Sequence, residues 1–211
     1  MRKSKNKYAK YTTLPSKEII KKTILALKNN GFEAYFVNSG AEAKSKVLDQ
    51  LPPGKEVMDM TSITLETINL AKEIEESGKF NSVRKRLYNM DRNTQELEML
   101  KLGAAPEYVI GSVHAITQDG KVMVASQSGS QLPSYAYGSS KVIWVVGVQK
   151  IVKNIDEGFK RIYKHSLPLE SVRAKKAYGV PGSAVNKVLI VNKEVKPRRI
   201  AIILVNEALG F

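Results

Sequence analysis

Residues 108–138, which read YVIGSVHAITQDGKVMVASQSGSQLPSYAYG, decide the fold of this chain. They contain two apolar segments separated by Asp119-Gly120, followed by a loop of small polar residues and a short Tyr-rich segment. An Asp-Gly pair suits a type I′ turn, so the pattern predicts an antiparallel hairpin formed by residues 108–117 and 121–125. We expect most of any ligand site to lie in this stretch.

The rest of the chain alternates short apolar segments with amphipathic ones. The continuously apolar residues 142–146 are typical of a central strand that is covered on both faces. Helices are predicted over residues 16–30, 41–51, 65–76, 91–102 and 149–165, with a short one after Pro168, and further strands over residues 32–37, 55–60, 188–191 and 200–205. This order predicts an α/β fold with a largely parallel sheet flanked by helices and an added antiparallel hairpin.

The charge of the chain is concentrated at its start. The net charge is +14, and residues 1–22 hold eight basic residues against one acid. We therefore predict a flexible basic tail over residues 1–15 and one domain over residues 16–211. No recognition helix, aromatic RNA-binding motif or zinc-finger spacing accompanies the charge, so small anionic molecules are favoured over nucleic acid as partners.

Composition excludes several kinds of chemistry. The chain has no cysteine and only two histidines, so disulfides, a thiol nucleophile, a thiolate zinc site and a cysteine-ligated iron–sulfur cluster are excluded. We expect no metal site, and the sequence identifies no cofactor. No apolar run approaches the roughly 20 residues of a membrane-spanning helix, and no secretory signal pattern is present, so we expect a cytoplasmic protein without membrane contact.

The loop after the predicted hairpin is the first candidate for ligand binding. Its small residues can present backbone N–H groups and hydroxyls to an anion, as nests and helix N-termini do. The candidate contacts are Ser126, Ser128, Gly129, Ser130 and Gln131. The alternative is a turn that merely requires small residues. The loop is neither a P-loop nor a dinucleotide-binding glycine motif.

Further candidates lie at the carboxyl ends of predicted strands, where open α/β sheets bind ligands. Ser112, Thr64 and Lys150 are candidate ligand contacts. His114 is a candidate general acid or base at neutral pH, and Glu207 is a candidate carboxylate base or nucleophile.

Each of these candidates has a structural alternative. His114 lies among apolar residues and could be a buried, hydrogen-bonded histidine; Lys150 belongs to a face with several lysines and could simply be solvated. Glu207 could be a solvated residue near the end of the chain. Asp59 could act as a base or cap the helix that follows it. A serine nucleophile is disfavoured because no G-x-S-x-G elbow is present.

Several segments together resemble the LUD-domain family, whose members are similar to lactate-utilisation protein C. They are GSVHAIT at residues 111–117, VASQSGSQLP at 124–133, AYG at 136–138, VIWVVGVQKIVKN at 142–154 and IAIILVNEALGF at 200–211. Ser62-Ile63-Thr64 also resembles the S-x-T segment of that family. The resemblance covers about residues 16–211. It departs at His114, near which many members carry an acidic residue.

The resemblance implies a NagB/RpiA/CoA-transferase-like fold, in which related proteins bind sugar phosphates, CoA thioesters or folates at the strand ends. It also implies a link to the oxidation of L-lactate to pyruvate together with iron–sulfur partner proteins. Any cluster would belong to those partners, because this chain has no cysteine. Three roles remain open: binding of a small anionic ligand (a carboxylate, phosphate or CoA ester), a non-catalytic subunit or regulator that organises the partners, and an enzyme acting on CoA esters or sugar phosphates. The resemblance transfers no catalytic chemistry, so whether the protein is an enzyme stays undecided.

Overall fold

A computed structural model describes residues 9–211 and places them in two sheets with helices around them. The helices are α1 (Ala9–Thr12), α2 (Lys17–Asn29), α3 (Gly40–Leu48), α4 (Ile63–Thr67), α5 (Leu70–Glu76), α6 (Val83–Tyr88), α7 (Glu96–Ala104), α8 (Ile155–Arg161) and α9 (Leu167–Tyr178). The strands are β1 (Glu33–Val37), β2 (Glu56–Asp59), β3 (Asn81–Ser82), β4 (Tyr108–Gly111), β5 (Ala115–Thr117), β6 (Val122–Ser126), β7 (Lys141–Gly147), β8 (Ile151–Val152), β9 (Lys187–Val191) and β10 (Ile200–Val205). Within this part of the chain, no helix combines the length and apolar character needed to cross a bilayer.

The larger sheet has six strands in the order β1-β10-β7-β4-β2-β3, and all neighbours are parallel. Its centre is β7, as the apolar run predicts. Trp144 and Val146 enter the core on one face of β7, and Ile143 and Val145 enter the core on the other. Side chains alternate across a strand, so a strand covered on both faces is apolar at every position. The predicted parallel α/β fold is confirmed.

The smaller sheet has four strands in the order β8-β5-β6-β9. Apolar residues of β5 and β6 share a core with the larger sheet and α2, and their opposite face packs against Phe159 and Ile162. The two sheets therefore enclose one core between them, with α3, α4 and α5 on the far side of the larger sheet and α8 on the far side of the smaller one.

The predicted hairpin is half right. β5 and β6 pair antiparallel around Asp119-Gly120, but Tyr108–Gly111 is a separate strand of the larger sheet. The turn is also not type I′, which needs positive φ at both central residues, because only Gly120 has positive φ (82°). Asn30 of the neighbouring helix end donates to the carbonyl oxygens of Asp119 and Gly120 and fixes the turn from outside.

The predicted helix over residues 149–165 is wrong at its start. Val148–Lys150 forms a 3-10 turn, and β8 then pairs with β5 before α8 begins at Ile155. At the other end the helical backbone continues past the expected break. A π-helical turn leads directly into α9, and Pro168 lies in the first turn of α9, where it has no N–H to donate to that preceding turn.

Two smaller differences concern the first half of the chain. Ser16 caps α2 as predicted, but the single helix predicted over residues 65–76 is split into α4 and α5 at Asn69, which has positive φ. Residues 1–8 of the predicted tail lie outside the described residues. Within the described part, α1 packs on the domain, with Tyr11 buried and Lys10 paired with Glu157 at 2.6 Å.

The end of β4 tests how tightly the core is packed. A Cβ at Gly111 would overlap the hydroxyl of the buried Tyr135 and lie 2.9 Å from its Cζ. We therefore expect Gly111→Ala to lower the free energy of unfolding by about 1–3 kcal/mol in urea titrations, since the aromatic ring has no room to move. Gly103→Ala is the control, because nothing lies within 4 Å of its Cβ. Equal stability of the two variants would contradict this packing.

Candidate functional site

One cleft of about 950 Å³ lies at the carboxyl ends of β2, β4, β7 and β6. The structure brings to it nine of the ten residues that the sequence suggests: Thr64, Ser112, His114, Ser126, Ser128, Gly129, Ser130, Gln131 and Lys150. Thr64, Ser112, His114 and Lys150 share this location because the parallel strands β2, β4 and β7 are neighbours and end at one edge of the larger sheet. The other five residues reach it from the end of β6 in the smaller sheet.

Glu207 is the exception. It does not line the cleft, and its Oε2 accepts a hydrogen bond from the backbone N–H of Gly40 at 3.2 Å, at the start of α3. The reason is the strand order: β10 lies next to β1, so the residue that follows β10 meets the helix that follows β1. Glu207 therefore does not share the cleft with His114 and Ser128, and its carboxylate instead caps a helix.

Lys150 is the most unusual side chain of the cleft. The residue is only 2% exposed, and its Nζ donates to Thr64 Oγ1 and Ser112 Oγ, each at 3.1 Å. No carboxylate among residues 9–211 lies within ion-pair distance of it. The alternative of a solvated lysine is wrong, because the 3-10 turn after β7 directs Lys150 inward.

The surroundings of Lys150 disfavour its charge. Burial, and secondly the nearby Arg161 cation, lower the pKa of Lys150 well below its usual value of 10.5. The two hydroxyls accept hydrogen bonds but carry no charge to compensate an ammonium ion. An anion that enters the cleft would supply the missing compensation.

The hydroxyl of Thr64 has a fixed role in this arrangement. It donates its one proton to the carbonyl oxygen of Leu209 at 3.3 Å and therefore presents a lone pair to Lys150. The oxygen of Ser112 also accepts from Lys150, and no hydrogen bond within the described chain uses its proton. Ser112 is thus the hydroxyl whose proton is available to a ligand.

A second buried cation, Arg161, lies behind the cleft. Its Nη1 donates to the carbonyl oxygen of His114 at 2.6 Å and to Ser166 Oγ at 3.1 Å, while Nε and Nη2 are buried without a hydrogen-bond partner among the described residues. Burial lowers the pKa of Arg161 to about 10, so it stays charged at neutral pH. Sequence reasoning missed it, although Arg161 and His165 lie at helical spacing on the buried face shared with Gly158 and Ile162.

His114 is half-buried, and its Nδ1 accepts a hydrogen bond from the backbone N–H of Ala125 at 3.1 Å. Burial, then the cations of Lys150 and Arg161, lower the pKa of His114 to about 3. The ring is therefore neutral at pH 7 and carries its proton on Nε2. This state fits a hydrogen-bond donor and does not fit an acid or base that titrates near neutral pH.

The serine loop is a turn that satisfies much of its own backbone. Ser126 Oγ accepts from the N–H of Gly129 at 2.8 Å and donates to Gln131 Oε1 at 3.0 Å. Ser128 Oγ accepts from the N–H of Ser130 at 3.3 Å. Two N–H groups of the expected anion cradle are thus already engaged, so the loop forms a wall of the cleft with fewer free donors than its composition suggests.

Three arginines that sequence reasoning also missed line the cleft, and two of them have acidic partners. Arg84 Nε lies 2.9 Å from Oδ2 of the buried Asp59. Arg173 binds both carboxylate oxygens of Glu170, at 2.8 and 2.6 Å. Asp59 is therefore the ion-pair partner of Arg84 rather than a base or a helix cap. Among the described residues, Lys150 is therefore the buried basic side chain of the cleft wall that has no acidic partner. Arg92 also lines the cleft without an acidic partner, but it is exposed.

Comparisons with known proteins agree with this architecture. The pattern of one family, described as LUD domain, matches residues 20–205. The chain is similar to the crystal structure of a DUF162 family protein from Deinococcus radiodurans, with 14% identity, 92% of this chain and 100% of that chain covered, and a TM-score of 0.57. At this identity the likeness shows the fold alone.

A further likeness is to eIF2B beta from Chaetomium thermophilum, with 17% identity, 55% of this chain and 43% of that chain covered, and a TM-score of 0.37. This likeness is too weak to support a statement on fold or function. A comparison with curated proteins finds no match.

Replacing Lys150 should change how the stability of the protein depends on pH. The pKa of Lys150 is lowered in the folded state, so below pH 10.5 the unfolded chain binds a proton that the folded chain resists. Wild-type stability should therefore fall as pH decreases from 10.5, relative to Lys150→Met, by at most about 1.4 kcal/mol per pH unit. In urea titrations, the free energy of unfolding of Lys150→Met relative to that of the wild type should therefore decrease as the pH rises from about 7.5 to about 9.5.

Lys153→Met is the matched control, because Lys153 is exposed three residues further on. It shows the effect on stability of replacing an exposed lysine by methionine. If the stability difference between Lys150→Met and the wild type is the same at every pH, Lys150 is not held in an environment that disfavours its charge.

Proposed function

The chain belongs to the LUD domain family, and on that premise we propose that it binds a small carboxylate metabolite of lactate utilisation in the cleft at the strand ends. The observation that supports this proposal is Lys150, a buried amine in an open cleft with two hydroxyl partners and no counterion among the described residues. Buried cations are normally paired, so an unpaired one lining a cleft indicates that a ligand supplies the anion.

The donors favour a carboxylate over a phosphate. The hydrogen-bond donors at the site are few: Nζ of Lys150, the free hydroxyl proton of Ser112 and the N–H of His114. Of these three groups, only Lys150 supplies a positive charge. A phosphate carries up to two negative charges and is usually held by several backbone N–H groups. Gly129 and Ser130 already use theirs within the loop. Lactate and pyruvate are the carboxylates that the family connection suggests, whereas a CoA ester or sugar phosphate would need donors from other parts of the cleft.

Charge outside the immediate site supports the same class of ligand. Arg161 remains charged behind the cleft, and Arg92 lines it without an acidic partner among the described ion pairs. Arg84 and Arg173 contribute little, because Asp59 and Glu170 neutralise them. Attraction over this range raises the local concentration of an anionic ligand and weakens with salt.

Binding should be detectable as thermal stabilisation. At 100 times the dissociation constant a ligand adds about 2.7 kcal/mol to the stability of the folded state. We expect lactate or pyruvate to raise the melting temperature of the wild type and of Lys153→Met, and to have little effect on Lys150→Met. Chloride at equal ionic strength controls for salt, and phosphate, sugar phosphates and CoA esters test the other anions.

The stabilisation should also weaken as pH rises. The environment of the empty cleft favours the neutral amine of Lys150. A bound carboxylate stabilises the charged amine, so the amine takes up a proton when the ligand binds. If lactate and pyruvate at saturating concentrations stabilise neither the wild type nor Lys153→Met, or if they stabilise Lys150→Met equally well, the proposal is wrong.

A second candidate function, a subunit that docks partner proteins, is favoured by α7. None of its residues is buried, and Leu97 and Leu100 are 57% and 63% exposed. Tyr137 nearby is 90% exposed, and Met99 and Leu100 also line the cleft. These exposed apolar side chains at the mouth of the cleft offer a surface on which iron–sulfur proteins of lactate oxidation could dock.

This role predicts a dependence on α7 and independence from Lys150. The protein should co-purify with iron–sulfur proteins in lactate-grown cells, Leu97→Lys with Leu100→Lys should abolish the association, and Lys150→Met should retain it. Each lysine substitution is on an exposed site, so stability should change by less than about 0.5 kcal/mol. Association that survives the double substitution would place any partner surface elsewhere.

A further inference from the structure

We propose that Lys150 binds the keto carbon of a 2-oxo acid such as pyruvate covalently, as an imine. This inference deepens the proposed function and rests on it, because the ligand must first enter the cleft as a carboxylate. It begins from the contacts of one atom, Nζ of Lys150, which lies between two hydroxyls in the wall of an open cleft.

The position of Nζ suits an amine nucleophile. A neutral amine donates its two protons to Thr64 and Ser112 and keeps its lone pair for a third direction. Exposed lysines at neutral pH lack this lone pair, since only about 0.04% of an amine with a pKa of about 10.4 is neutral at pH 7. Burial and the neighbouring Arg161 favour the neutral form of Lys150, and the other titratable groups coupled to it, His114 and His165, are themselves disposed to be neutral. Desolvation beside a second cation is a known way to activate an amine for imine chemistry.

The reaction balances with the groups at hand. The amine of Lys150 adds to the keto carbon, the N–C bond forms, and the carbonyl oxygen takes up the proton that the nitrogen releases, which gives a carbinolamine. The carbinolamine then loses its hydroxyl group, which leaves as water after protonation, and the C=N bond forms. Ser112 is placed to pass a proton from solvent in the open cleft to that hydroxyl group and to be reprotonated in turn, while the nitrogen keeps its remaining proton, so the imine forms in its protonated state. The hydroxyl proton of Ser112 is not used elsewhere among the described contacts, whereas Thr64 has committed its proton to Leu209.

The product supplies the charge compensation that Lys150 lacks in the empty site. A protonated imine carries one positive charge next to the carboxylate of the ligand, so the two charges compensate each other in the place where Lys150 alone has no counterion. Lactate has the same carboxylate but no carbonyl, so it can bind there without forming the bond. The site would therefore distinguish the oxidised from the reduced member of the pair.

Reductive trapping tests the proposal. Wild-type protein is incubated with pyruvate and cyanoborohydride at about pH 7, where surface amines are almost fully protonated, and the adduct is located by peptide mass spectrometry. We expect one reduced pyruvyl group on Lys150, formed at least about tenfold faster than on surface lysines, with the preference shrinking as pH approaches the usual lysine pKa. Lactate should give no adduct and should slow trapping by pyruvate.

Variants separate the chemistry from the fold. Lys153→Met should be trapped like the wild type and Lys150→Met should not. Lys150→Arg keeps a cation but cannot form an imine, so it should give no adduct. Ser112→Ala should bind pyruvate more weakly and, even at saturating pyruvate, should be trapped about tenfold or more slowly, in the range seen when a proton donor is removed.

The outcomes distinguish this inference from the function on which it rests. If pyruvate stabilises the protein but the adduct is absent, or is spread evenly over surface lysines, the imine is wrong and carboxylate binding stands. The imine is supported if the Lys153→Met variant carries the adduct on Lys150 and the Lys150→Arg variant carries none. If neither pyruvate nor lactate stabilises the protein and no adduct forms, both proposals fail.

Discussion

The parallel pairing of β7 with β4 on one side and β10 on the other is the constraint on which the rest of the structure depends. It sets the positions at which neighbouring strands end, and therefore which side chains can meet. Space at the end of β7 is also restricted, because the position of a Cβ on Gly147 lies 2.6 Å from the carbonyl oxygen of Glu207 and 2.7 Å from the N–H nitrogen of Leu209. The chain leaves the sheet in a tight 3-10 turn, and this turn places Lys150 against the segments that follow β2 and β4.

Two buried basic side chains follow from this geometry, and within the described chain their hydrogen-bond partners are all neutral. Lys150 has two hydroxyls, and Arg161 has a carbonyl oxygen and a hydroxyl. Removing a charge from water costs several kcal/mol unless an opposite charge replaces the lost hydration. The fold therefore gives up stability beside the cleft, which is a pattern expected of binding sites rather than of structural cores.

Sequence reasoning succeeded where a single physical effect dominates. The apolar run over residues 142–146 requires a covered strand, and the hydroxyl of Ser16 satisfies the N–H of Ile19 at the start of α2. It failed where tertiary contacts compete with local pattern. Residues 149–152 share the helical spacing of the segment that follows, yet Ile151 and Val152 gain more by pairing with β5, and this pairing turns Lys150 from an apparent surface lysine into a buried one.

The candidate site was predictable in place but not in detail. The rule that ligands bind at strand ends brought nine suggested residues to one cleft, whereas Glu207 required the strand order, which the sequence does not give. The serine loop shows a different limit. Its composition indicates available donors, but in the folded protein the hydroxyl oxygens of Ser126 and Ser128 already accept hydrogen bonds from the N–H groups of Gly129 and Ser130. Arg161 remained hidden because a basic residue on an amphipathic helix is ordinarily solvated.

The topology of the larger sheet also governs the order in which the protein can assemble during synthesis. Among the described strands β1 pairs with β10 alone, and its first pair joins Glu33 to Ala201. A ribosome therefore releases almost the whole domain before β1 can find its partner, and until then β1 and one side of β7 present unpaired backbone. Such late, long-range strand pairing slows folding and leaves unpaired, aggregation-prone strand edges exposed in the nascent chain. Protection of those edges while translation continues is thus a requirement that the native structure itself imposes on the cell.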